Sequence, residues 1–399
     1  MNSHPPSSIL VAPKQSEGGL HPRRILVRGT NWLGDAVMTT PALLRLREKF
    51  PDAHIALLTP EKLRDLWTNH PAVNETIPFA SGENVFLTGK KLRAGKYDLA
   101  LVFPNSPRSA LEVWLAGIPQ RIGYARPWRN FFLTSAVASR ASAVRMHKRS
   151  VNEIKRLADT ADQSRTGVSP VRAGGTPALL SNAHQIHEYL HLVAALGANP
   201  EPLPPTLFVT PDEIEAAKKK FGLGEIRRPI FGLNPGAEYG PAKRWPVEKF
   251  IAAAREIQNR TNCTWLIFGR EADAASQRTA GILSAEQNFR QDAGSTFLNL
   301  AGKTSLRELM ALLKICRVLL TNDTGPMHVA AALGTPVVVP FGSTSPELTG
   351  PGLPGDSRHR LLKSDAPCSP CFLRECPIDF RCLNGISVER VVEAVLSAI

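Results

Sequence analysis

Apolar residues along this chain fall into short continuous runs separated by stretches with helical spacing, first over residues 24–116 and again after residue 205. The runs RILVR at 24–28, HIALLT at 54–59 and YDLALVF at 97–103 lack polar alternation, which marks strands covered on both faces. Helical periodicity lies between and after them, at about 36–49, 61–69 and 107–116. The second series reads PIFGLNP, a helix over 246–259, TWLIFG, a helix near 272–286, FLNLAG, a helix near 305–314, RVLLTN, a helix at 325–333, and PVVVPF. Such alternation predicts parallel sheets flanked by helices, and its restart predicts an α/β protein of two Rossmann-like domains facing a cleft.

The expected division is a first domain over 23–198 and a second over 207–399, joined by a Pro-rich linker at 199–206. Two segments break the pattern. Residues 1–22 read as a disordered tail, and residues 160–182, rich in Gly, Ser, Thr, Pro and Arg, as a disordered insertion. VERVVEAVLSAI at 388–399 reads as a closing amphipathic helix.

With 399 residues and 43% hydrophobic content, the chain can bury two cores of ordinary size. Lys and Arg number 48 against 35 Asp and Glu, a net charge of +13, which favours an anionic partner. No helix-turn-helix, RNP or KH signature accompanies the charge, and aromatic content is 7%, so nucleic acid is not the expected partner. No apolar run approaches the ~20 residues of a membrane span, and the start has only ILVA where a signal peptide needs ~7 to 15 apolar residues. A cytoplasmic protein is expected.

The chemistry concentrates where strands end. In TNDTGPMHVAA, residues 321–331, an apolar run meets an acidic residue, a Gly turn and an Ala-rich helix. Its free N–H groups at Thr324, Gly325, Met327 and His328 would face a phosphate, and Asp323 would take sugar hydroxyls. DTG alone is not specific. VRGTNWLGDAVMTTPALLRLREKFP at 27–51 repeats the arrangement with Asp35 at the turn, where position alone fits an N-cap as well as a catalytic carboxylate.

Together with NPGAEYGPAKRWP at 234–246, PNSPRSALEVWLAGIPQRIGYARP at 104–127 and the cysteine-rich tail, these segments resemble the ADP-heptose:lipopolysaccharide heptosyltransferase family, most nearly its heptosyltransferase II type. The resemblance runs through nearly all of residues 24–399. It implies a GT-B fold and inverting transfer of L-glycero-D-manno-heptose from ADP-heptose to the heptosyl-Kdo2-lipid A inner core of lipopolysaccharide. It also implies peripheral attachment to the cytoplasmic face of the inner membrane and a closing helix that packs back on the first domain.

Within that resemblance Asp35 corresponds to the general base, and Lys243 to a phosphate-binding lysine, with Arg244 the alternative one position on. Asn234 and Gly236 end the strand before Lys243, and Glu271 follows another strand, where acidic residues bind ribose in related sheets. His328 reads as a phosphate or ribose contact, or as a helix-packing residue. Arg121, Arg126, Arg129, Arg145, Lys148 and Arg149 would meet acceptor phosphates and carboxylates, the alternative being a solvated basic face.

Four cysteines, Cys368, Cys371, Cys376 and Cys382, are spaced for a structural metal or for reduced thiols. No cofactor is required by the transfer expected here. Two rivals share the sequence features: heptosyltransferase I or another sugar-nucleotide transferase or epimerase of the same fold, and a basic, metal-containing nucleic-acid-binding protein. Nothing in the pattern specifies an oligomeric state.

Overall fold

The computed structural model describes residues 21–144, 146–164, 182–285 and 296–399. Among these, six strands, β1 (Arg24–Arg28), β2 (His54–Pro60), β3 (Glu75–Phe79), β4 (Leu99–Val102), β5 (Gln120–Tyr124) and β6 (Ser135–Val137), form one sheet in the order β3-β2-β1-β4-β5-β6. A second sheet holds β7 (Ile230–Asn234), β8 (Thr264–Ile267), β9 (Phe297–Asn299), β10 (Leu319–Thr321), β11 (Val337–Pro340) and β12 (Arg360–Leu362), in the order β12-β11-β10-β7-β8-β9. Every pairing is parallel, so each half is the doubly wound arrangement expected. The order reverses beside β1 and beside β7, and crevices at such switch points open at the carboxyl ends of the strands.

The central strands explain their own position. Ile25, Leu26, Val27, Leu99, Leu101, Leu319 and Leu320 have no exposed surface, and each buried aliphatic side chain of this size contributes ~1.5–3 kcal/mol. One apolar cluster runs through both halves, joining Ile25, Leu57 and Leu190 to Leu266, Met310 and Met327.

Local chemistry sets several boundaries. The helix expected over 36–49 is two helices, Leu33–Met38 and Thr40–Lys49, meeting at Thr39. Pro41 lacks the N–H needed to continue the ladder, and the Thr39 and Thr40 hydroxyls donate instead to the carbonyls of Ala36 and Val37. The 61–69 segment is a 3-10 turn, Glu61–Trp67. Ser305 and Glu308 form a capping box that starts the Leu306–Ile315 helix.

Two placements differ from expectation. The closing helix, Val388–Leu396, packs on the Val247–Thr261 helix and the second sheet's β11 and β12, not on the first domain; Val391, Val392 and Val395 belong to the second half's own core. Residues 160–164 of the expected insertion continue the helix Val151–Ser164. That helix lies against the cysteine-rich segment: Ile154 clusters with Cys368 and Cys371, and Asp162 pairs with Arg381 at 3.0 Å. Just before it, Arg149 donates to the Pro367 carbonyl. The next helix, Ile186–Ala194, packs on Thr40–Lys49 and β5 of the first sheet. The expectations for residues 1–20 and 165–181 lie outside the described residues.

Candidate functional site

Two cavities open in the cleft, one of about 910 Å³ bounded mainly by the first half and one of about 440 Å³ bounded largely by the second. Both are lined by Trp32, Asp35, Met146 and Gln185. Asp35 therefore stands on a wall common to both.

The loop after β1 places it there. Buried Arg28 donates to Glu112 at 2.8 Å and, forward, to the carbonyl of Gly29 and to Asn31 Oδ1, anchoring the turn into the Leu33–Met38 helix. The N-cap of that helix is Trp32, so Asp35 is not its cap. Asp35 Oδ1 instead accepts from Gln185 Nε2 at 3.2 Å, and the same amide contacts the Tyr189 hydroxyl at 2.8 Å. Burial pushes the Asp35 carboxyl above the usual carboxylate range; the Gln185 hydrogen bond and the Lys243 charge pull it down, and Asp323 pushes it up. A carboxylate so placed can accept a proton from a group in the larger cavity.

The smaller cavity gathers the ends of β7 and β10. Lys243 ends a 3-10 turn, Pro241–Lys243, and its ammonium pairs with Asp323 at 2.6 Å. The Thr344 hydroxyl also donates to Asp323. Thr324 is the N-cap of the Gly325–Ala332 helix and makes no side-chain cap bond, so the first-turn N–H groups lack a side-chain acceptor. Lys243 lies 4.9 Å from the Tyr239 ring centroid, with the Arg374 guanidinium 5.2 Å from it. His328 lines the cavity too; burial lowers its pKa to about 4, leaving it neutral near pH 7 and suited to a hydrogen bond rather than to proton donation as imidazolium. The arrangement suits an anion with two or more oxygens to satisfy.

Of the residues singled out from sequence, Asp35, Lys243, Asp323, Thr324, Gly325 and His328 converge here, and Arg126 lines the larger cavity. The others stand elsewhere. Asn234 binds Thr321 across β7 and β10; Gly236 packs where a Cβ would strike Asp273; Glu271 lies against Gly302; Met327 is in the core. Arg121 donates to the carbonyls of Phe132 and Ile118, and fully buried Arg129 to Pro104 and Asn105; neither arginine lines either cavity. Lys148 is exposed and lines neither cavity, and Arg145 lies outside the described residues. Arg244 donates to the Ala237 carbonyl.

Sequence reasoning missed Gln185, Tyr189, Arg140, Tyr239 and Arg374. Tyr239 and Arg374 lie within the 234–246 and cysteine-rich segments but had no role read for them, whereas Arg140, Gln185 and Tyr189 come from segments that no motif marked and are brought to the cleft by the fold. Cys368, Cys371 and Cys382 are buried, and Cys376 Sγ accepts from the Phe380 N–H at 3.3 Å. Burial pushes the Cys382 thiol up to about 12. Among the described residues no group of three or more His, Cys, Asp or Glu is arranged to hold a metal. No described helix is long and apolar enough to cross a membrane.

The profile of glycosyltransferase family 9 (heptosyltransferase) matches residues 85–380. Lipopolysaccharide heptosyltransferase 2 of Salmonella typhimurium is 31% identical over 337 residues, covering 82% of this chain and 85% of the relative. Lipooligosaccharide heptosyltransferase 2 of Haemophilus ducreyi is 31% identical over 343 residues, covering 82% and 86%. The structure of Escherichia coli ADP-heptose lipopolysaccharide heptosyltransferase II superposes with a TM-score of 0.70 at 28% identity, covering 94% of this chain and 98% of the other.

Proposed function

This chain belongs to glycosyltransferase family 9, the heptosyltransferases, and from that membership we propose that it is an inverting transferase moving L-glycero-D-manno-heptose from ADP-heptose to the heptosyl-Kdo2-lipid A inner core. The observation that carries the reading is the place of Asp35 on the wall common to a cavity rich in phosphate-type donors and a larger cavity beside it. The acceptor hydroxyl oxygen attacks the anomeric carbon from the larger cavity and gives its proton to the Asp35 carboxylate. The bond from the anomeric carbon to the diphosphate oxygen breaks, and ADP departs with the electron pair.

Charge on the leaving diphosphate falls to Lys243, Arg374 and the N–H groups at Thr324 and Gly325. Lys243 has three donor N–H bonds and Asp323 engages one side of the ammonium, leaving donors for phosphate. This inventory supports a transfer that needs no divalent ion. The protein would work at the cytoplasmic face of the inner membrane, where the acceptor's lipid anchor lies.

The test incubates the chain with ADP-heptose and defined acceptors carrying one heptose or none. Product from the one-heptose acceptor alone is expected; transfer to the heptose-free acceptor would move the chain to the first-heptose reaction. Calorimetric titration of ADP with chelator present checks the metal-free step. Affinity is expected to survive chelator and to fall in Lys243→Ala and Thr324→Ala, non-additively where the two share a phosphate. Affinity that vanishes with chelator and returns with magnesium would refute it.

A further inference from the structure

The mouth of the larger cavity carries an unusual amount of exposed apolar surface. Trp128 and Phe131, on the loop between β5 and β6, are 88% and 81% exposed, and Arg126 and Pro127 of the same loop line the cavity. Trp32, Val144 and Met146, each about half exposed, line it as well.

The loop is braced. Trp128 has φ 64, a left-handed conformation costly for a bulky residue and kept only where the surroundings enforce it. Asn130 Oδ1 accepts from the Arg126 N–H, and the buried Arg129 guanidinium ties the loop to Pro104 and Asn105. Holding two aromatic side chains out in water on a rigid support has a use when something apolar receives them.

We propose that this mouth is a membrane-docking surface, with Trp128 and Phe131 entering the interfacial layer of a bilayer that carries anionic headgroups. Tryptophan and phenylalanine on a projecting loop suit the boundary between headgroups and acyl chains. Arg126 on the adjoining wall and the net charge of +13 complement anionic lipid. The proposal rests on the lipid-linked acceptor inferred above: docking in this pose brings the larger cavity to the surface from which such an acceptor projects, so its sugar reaches Asp35 while its acyl chains stay in the bilayer.

The experiment sediments the full chain with vesicles of phosphatidylcholine alone and with phosphatidylglycerol added. Binding to the anionic vesicles is expected, weakened about tenfold or more in Trp128→Ser/Phe131→Ser. Bromine-labelled acyl chains should quench the parent's fluorescence and quench Trp128→Phe, which keeps the apolar bulk, markedly less. Heptose transfer to a deacylated, soluble acceptor should be equal in parent and double variant. Undiminished sedimentation of the double variant overturns the proposal, as does a dimer of the parent that the double variant loses in ultracentrifugation without lipid. Vesicle binding that depends on these residues, in a protein that fails to use any heptose acceptor, leaves the docking surface standing and removes the acceptor reading instead.

Discussion

Asp35 and Gln185 give the sharpest tests of the proposed chemistry. Asp35→Asn keeps the side chain's shape and removes its basicity, so turnover should fall at least about 100-fold with ADP affinity near that of the parent, measured by product formation and calorimetry. Gln185→Leu removes the donor that lowers the Asp35 pKa. The groups facing Asp35 are Gln185 and Tyr189 from one side and Lys243 and Asp323 from the other, with His328 against neighbouring Gly34. Without the donor the carboxyl holds its proton to higher pH, so the acid limb of kcat/KM should move upward while the plateau changes less. An unmoved limb with a uniformly lower plateau would reduce Gln185 to packing. Asp35 was legible in the sequence because a strand, a Gly loop and a helix announce the carboxyl edge of a sheet. Gln185 was not, since it follows a segment with no periodic pattern and acts on a residue 150 positions away.

At the level of elements, the helices Leu33–Met38 and Gly325–Ala332 meet through glycine. A Cβ on Gly34 would lie 2.7 Å from His328 Cδ2, and one on Gly325 would lie 2.8 Å from Leu33 Cδ2. Gly34→Ala should therefore destabilise by about 1–3 kcal/mol, because buried His328 has little room to give. Urea midpoints check this, and His328→Ala in the same chain should recover part of the loss, giving a non-additive cycle. The central strands were readable as unbroken apolar runs. β3, β5, β6 and β12 were not: ETIPF, QRIGY, SAV and RLL are three to five residues long and partly polar, and three of them are edge strands that need less apolar cover. Pro41 was the available sign that one helical pattern held two helices, and the periodicity hid it.

Across the described residues, buried imidazoles tie stability to pH. Burial lowers His70, His184 and His328 to about 4, against ~6.5 for an unfolded chain. Between these values the unfolded chain binds more protons, so their contribution is complete above ~6.5 and is lost as pH falls toward 4, at up to ~1.4 kcal/mol per group per pH unit. Asp35, with its raised pKa, opposes this in part. Melting temperature should drop from pH 7.5 to 5, and drop less in His70→Phe, where the ring keeps its edge contacts with Trp67 and Phe208. The two-sheet plan was visible from the restart of the apolar pattern. The path between the sheets was not, because it depends on where single helices dock. Leaving β6, the chain lays Val151–Ser164 against the second half, returns to place Ile186–Ala194 on the first sheet, and crosses again before β7. The second half is thus gripped at its cysteine-rich segment by a helix that precedes it in the chain, so cutting the backbone between residues 199 and 206 should leave the two sheets attached through that helix and the apolar cluster they share.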